Sequence, residues 1–152
     1  NILYALSPPL QTHTVSPYTR IGHVLLRVTN LEEAEKFYTR IGLEVTMRMH
    51  GAVFVAAGDY HHHVGFHVWE TLDGKAPSTS TIGLRYFTIQ VSGYKPFANI
   101  REALQETDTD IKGDERKISL HDPSGNGIVI TSQYGDRLEE AIELEGLFSK
   151  KA

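Results

Sequence analysis

The chain contains no cysteine, so disulfides, zinc–cysteine sites, iron–sulfur clusters and thiol nucleophiles are all excluded, and metal chemistry is left to histidine and carboxylates. It has no long apolar run: stretches such as Gly51 to Gly58 fall far short of the ~20 residues that cross a bilayer. No basic segment followed by an apolar one opens the chain, so no membrane or export signal is read, which fits a cytoplasmic protein. No basic cluster of the kind that grips a phosphate backbone is present, and the net charge is -4, so nucleic-acid binding is disfavoured. There is no Gly-rich phosphate loop, no G-x-S-x-G elbow and no H-E-x-x-H pair, which removes support for nucleotide hydrolysis and for serine or zinc hydrolase chemistry.

What is there is the composition of one folded domain: 152 residues, 40% hydrophobic and 22% charged. Residues 1 to 20 carry three prolines and no sustained period, and read as an arm or interdomain linker. Ile21 to Thr29 reads as a strand with Val24, Leu26 and Val28 on one face and His23, Leu25 and Arg27 on the other. Asn30 opens a helix with Glu33 three residues on, an apolar stripe of Leu31, Ala34, Phe37, Tyr38 and Ile41, and Gly42 as its stop. Three strands follow, Leu43 to His50, Gly51 to Asp59 and His61 to Trp69, giving a βαβββ order.

After a polar stretch from Thr71 to Ile82 the order restarts. Gly83 to Val91 reads as a strand, and Pro96 stands in the first turn of a helix reaching about Thr107 with Phe97, Ile100, Ala103 and Leu104 buried. Strands at Lys112 to Glu115, Arg116 to Asp122 and Gly127 to Gln133 follow, the last two joined by an Asp122-Pro123-Ser124-Gly125 turn. The fold class is therefore α+β, with paired βαβββ modules at about 21–70 and 83–133 inside a domain spanning 21–134. Residues 136–151 read as an amphipathic helix; five acids and Arg137 between Asp136 and Glu145 give it a local charge of -4, an acid face turned to solvent.

Four histidines, His61, His62, His63 and His67, crowd into seven residues. Strand alternation places His61, His63 and His67 on one face and His62 on the other with Val64, Phe66 and Val68. Three roles are open to them: ordinary hydrogen bonding, proton transfer by His62, whose imidazole titrates near neutrality, or a metal site joining His23 to His61, His63 or His67. Trp69, Tyr86 and Phe87 are candidates to line an apolar cavity for a planar aromatic ligand. Arg27 pairs either with an anionic substrate group or with a neighbouring carboxylate.

The runs IGHVLLRVTNLEEAEKFYTRIGLEV, AVFVAAGDYHHHVGFHVWE, GLRYFTIQV and DPSGNGI together resemble the vicinal oxygen chelate superfamily of glyoxalases, bleomycin-resistance proteins and extradiol dioxygenases. The run YHHHVGFHVW resembles in particular the second domain of catechol 2,3-dioxygenase-like proteins. The resemblance implies that the paired modules form a curved sheet around a cleft, and a ring-cleaving dioxygenase domain whose iron(II) or manganese(II) would be held at the first, fifth and eighth strands. Those positions fall on His23, Tyr86 and Val129, so two of the three implied ligands are replaced and the site is degenerate. It also implies that His62 is the acid–base group beside the dioxygen position. The same replacements point to an alternative, a metal-free small-molecule-binding module of the bleomycin-resistance type; a third reading is the structural half of a two-domain enzyme. The implied partners are a small aromatic molecule and either a second copy or a missing N-terminal domain. The start at Asn1, without Met, predicts processing or a piece of something longer.

Overall fold

The computed structural model describes residues 21–78 and 80–132; the proline-rich arm (1–20) and the C-terminal helix (136–151) expected from the sequence lie outside the described residues. Two βαβββ units follow one another. The first comprises β1 (Val24–Arg27), α1 (Leu31–Arg40), β2 (Glu44–Met49), β3 (Ala52–Ala56) and β4 (Val64–His67). The second comprises β5 (Phe87–Val91), α2 (Tyr94–Gln105), β6 (Lys112–Gly113), β7 (Lys117–His121) and β8 (Gly127–Ser132). Each unit makes a four-stranded sheet, ordered β1-β4-β3-β2 and β5-β8-β7-β6. In both, the first strand pairs parallel with the last and the remaining pairs are antiparallel. Among the described residues no helix is long and apolar enough to cross a membrane.

Local chemistry explains the elements. Asn30 has an extended backbone and its side-chain oxygen accepts from the backbone N–H groups of Glu32 and Glu33, satisfying donors that the first helical turn leaves free. The helix ends where Gly42 adopts φ +93°, and Ala34, Phe37, Tyr38 and Ile41 are buried as their 3.6-residue spacing requires. Burial of each of the larger side chains contributes roughly 1.5–3 kcal/mol. Glu35 of α1 receives Arg48 of β2 at 2.6 Å, which fixes the helix over that side of the sheet.

The two units share one apolar cluster: Leu26, Val53, Val55, Val64 and Phe66 from the first meet Phe97, Leu104, Ile118, Leu120, Ile128 and Ile130 from the second. A polar seam adds to it at the turn before β8. Ser124 Oγ accepts from the Thr29 backbone N–H at 2.9 Å, and Asn126 Nδ2 donates to the Arg27 carbonyl at 3.1 Å.

One face of the first sheet remains open. Cross-strand partners share a face, so Leu25, Gly65, Phe54 and Met47 form one row, and Arg27, His67, Ala52 and Met49 the next, opposite the core row of Val24, Val64, Val55 and Val45. Leu25, Met47 and Met49 are about half exposed. The corresponding face of the second sheet is more polar, with rows of Thr88, Val129 and Ser119, and of Gln90, Thr131 and Lys117.

Candidate functional site

β1 and β4 run parallel in the register Val24 to Val64, so their leading ends coincide at the same edge. His23 immediately precedes β1, and His61, His62 and His63 close the loop before β4. A nitrogen of His23, one of His61 and one of His62 all lie within 4.8 Å of one another. The rings of His23 and His62 are 4.4 Å apart, and those of His61 and His62 4.5 Å. His23 and His61 are exposed, while His62 is half-buried. Burial, and then the nearby His23, His61 and His63 side chains, hold the His62 imidazole below its ordinary value.

This grouping differs from strand alternation because β4 begins only at Val64. His61 to His63 are loop residues, and the loop turns His61 and His62 toward the same neighbour. His62 does not join Val64 and Phe66 on the core side; its ring meets the edge of Phe54, a member of the open row, at 5.0 Å. His63 is engaged elsewhere: its Nδ1 accepts from the Ala57 N–H at 3.2 Å, and its backbone N–H and carbonyl bond Val55 and Val24.

His67 lies on the open face but is only 7% exposed, stacked 4.3 Å under Trp69, and its Nδ1 has no hydrogen-bond partner. Burial, then the Arg27 charge, lower its proton affinity, against a weaker opposing effect of Glu70. Trp69 is anchored by its Nε1 donating to the His50 carbonyl at 3.1 Å. Arg27 reaches Glu70 at 2.6 Å, so of its two expected partners it holds the carboxylate.

Phe87 packs on the core, and Tyr86 is half-buried just ahead of β5, whereas Trp69 stands on the first sheet's open side. Two surface hollows, of about 310 and 340 Å³, lie elsewhere, one along α2 and one near Asp108 and His121. Phe54, Gly65 and Tyr60 are the neighbours that sequence reasoning passed over. Gly65 has no side chain where a Cβ would meet Leu25 and Phe54 at about 3 Å. Tyr60 packs on His61 and His63 at 4.3 and 4.6 Å.

Comparison with known proteins agrees with this architecture. A profile of the Glyoxalase/Bleomycin resistance protein/Dioxygenase superfamily matches residues 20–130. The chain belongs to that superfamily. It is 32% identical over 108 residues to a catechol-2,3-dioxygenase of Bacillus subtilis (strain 168), an alignment covering 69% of this chain and 38% of that protein, so the chain spans well under half the length of this relative. Among solved structures, a lactoylglutathione lyase from Agrobacterium tumefaciens superposes with a TM-score of 0.57 at 17% identity, over 77% of this chain and 96% of that one. A fosfomycin resistance protein from Mesorhizobium loti does so with a TM-score of 0.58 at 12% identity, over 80% and 97%. These two share the fold.

The dioxygenase resemblance implies a metal at His23, Tyr86 and Val129, and these residues do not fit it. Val129 offers no lone pair and is fully buried between Thr88 and Ser119. Tyr86 offers a phenol in place of an imidazole, a poor ligand near neutral pH.

Proposed function

We propose that the chain is a catechol 2,3-dioxygenase-like domain that binds a small planar aromatic molecule, a catechol being the model ligand, in an extradiol ring-cleaving protein. The observation that carries this reading is the continuity between an apolar platform and a proton acceptor. Leu25, Phe54 and Met47 form a row bare enough to take the face of an aromatic ring, and Phe54 runs directly into His62. The likeness to the Bacillus subtilis catechol-2,3-dioxygenase supports the ligand class. Gly65 leaves the platform flat at its centre. In the metal-free chain His62, whose proton affinity burial and its histidine neighbours lower, accepts a phenolic proton from the bound ligand on a ring nitrogen. No ring-opening step is assigned to this chain, because the positions of Tyr86 and Val129 provide no iron site.

The test is calorimetric titration of the full chain with catechol, followed by anaerobic addition of iron(II) and catechol and then air. Binding that weakens in Phe54→Ala and His62→Ala supports the reading, and the absence of binding overturns it. Yellow ring-fission product would extend it to catalysis by the chain alone. Binding without product is the result the reading expects of this chain alone, with ring opening left to another domain. Binding that is indifferent to the catechol hydroxyls favours the second reading, a binding module of the bleomycin-resistance type, to which the missing donors at Tyr86 and Val129 point.

A further inference from the structure

We propose that His23, His61 and His62 form a three-imidazole site for a divalent transition-metal ion such as zinc(II) or cobalt(II), sharing His23 but neither of the other two positions with the set His23, Tyr86 and Val129. The geometry is nearly assembled. Three nitrogens around one tetrahedral ion stand about 3.4 Å apart at metal–nitrogen distances of ~2.1 Å, and those of His23, His61 and His62 already lie within 4.8 Å of one another. The remaining closure needs only rotation of side chains, two of them exposed. The backbone beneath is held in place: Val24 N–H donates to the His63 carbonyl at 3.0 Å and His63 N–H to the Val55 carbonyl at 2.9 Å, tying the loop to β1 and β3. Tyr60 packs on the His61 ring at 4.3 Å, and Gly22 leaves room for its hydroxyl, 3.0 Å from where a Cβ would stand.

The donor set decides the class of metal. Three neutral nitrogens with no carboxylate suit zinc, cobalt, nickel or copper and are wrong for calcium and magnesium, which want oxygen. Three protein ligands leave the fourth position of a tetrahedral ion open to water or an anionic oxygen. The bound ion would keep its full double charge, since no ligand is anionic, and would favour an oxyanion at that position. His63 and His67 are outside the site: His63 Nδ1 is committed to the Ala57 N–H, and His67 Nδ1 is sealed beneath Trp69.

The experiment is equilibrium dialysis of the untagged full chain against zinc(II) with metal analysis, and a cobalt(II) titration followed by visible absorption. One equivalent bound, with the intense absorption of tetrahedral cobalt, is expected. His23→Ala, His61→Ala and His62→Ala should each weaken it by more than the roughly 10- to 100-fold cost of losing an outer partner of a metal ligand, while His63→Ala and His67→Ala leave it within a few-fold. Circular dichroism of each variant checks that the fold persists. No stoichiometric binding overturns the proposal, as does binding that survives both His61→Ala and His62→Ala. Catechol affinity measured in the presence of a chelator is read separately, so loss of the metal site and loss of aromatic binding are distinguishable.

Discussion

The hydroxyl of Tyr38 in α1 donates to Asp122 Oδ2 at 3.0 Å, joining residues 84 positions apart. Both are buried, and Asp122 is the hub of the seam between the two units. Its Oδ1 accepts from the backbone N–H groups of Ser124 and Asn126, each at 2.9 Å, and its Oδ2 also accepts from Asn126 Nδ2 at 2.8 Å. Burial first, and then the Asp122 charge, push the Tyr38 phenol far above its ordinary range, so it is always the donor. Asp122→Ala strands the Ser124 and Asn126 backbone N–H groups besides the Tyr38 hydroxyl, while Asn126 Nδ2 keeps the Arg27 carbonyl, and should cost about 3 kcal/mol in urea unfolding. Tyr38→Phe, which leaves Asp122 its other donors, should cost about 1–2 kcal/mol. A double-mutant cycle giving no coupling between them would show that the bond contributes nothing of its own.

Gly51 turns the chain between β2 and β3 at φ +74°, and a Cβ there would stand 2.8 Å from the Trp69 indole. Gly51→Ala therefore combines backbone strain with displacement of the ring and should destabilise by roughly 1–3 kcal/mol. Trp69 is the chain's single tryptophan, so its emission reports the displacement directly. The expected sign is a shift to longer wavelength as the indole leaves His67 and the His50 carbonyl. An unchanged spectrum with unchanged stability would mean that the turn relaxes without touching the ring.

Gly65 separates platform from packing. A Cβ there meets Leu25 Cδ1 at 2.9 Å and the Phe54 ring at 3.0 Å, both ends of movable side chains. Gly65→Ala should then cost only about 1 kcal/mol of stability, yet roughen the surface that Phe54 presents beside His62. Weaker catechol binding with near-normal unfolding is the expected pair of results. Equal losses in both would place Gly65 in the core's service instead.

The βαβββ order was legible because its signals are local: Asn30 as a cap, the stripe from Leu31 to Ile41, Gly42 as a stop, and the Asp122 turn, where Gly125 takes φ +87° and donates to the Asp122 carbonyl. Strand starts read from the sequence precede the ladder by a few residues, at Ile21 to His23 and at Gly83 to Tyr86, because a strand-like sequence does not say where its pairing partner begins. The histidine grouping was only half legible. His23, His61 and His62 were all named as candidates, but alternation assumes a strand, and the loop before β4 breaks that period and selects His62 over His63. Trp69, Tyr86 and Phe87 each read as aromatic lining from sequence, and periodicity within one strand carries no information on whether residues of two different sheets meet.

His67 makes the stability of the fold depend on pH. Its imidazole is buried under Trp69, and burial and Arg27 lower its proton affinity against the opposing pull of Glu70, so the folded form prefers it neutral. In the unfolded chain it titrates near the ordinary value of about 6.5. The unfolded state therefore binds more protons between the folded value and about 6.5, and stability must rise with pH across that window. The contribution is present in full above the unfolded value, is lost as pH falls through it, and levels off below the folded value. Half-buried His62 acts in the same direction. Urea unfolding from pH 7.5 down to 5 should show the decline, and His67→Phe, which keeps a ring for Trp69 to stack on, should remove most of it. Trp69 emission in the folded protein should fall over the lower part of the same range, as the stacked imidazole becomes a cation that withdraws electron density from the excited indole. A variant with the same slope as the parent would assign the pH dependence to other groups.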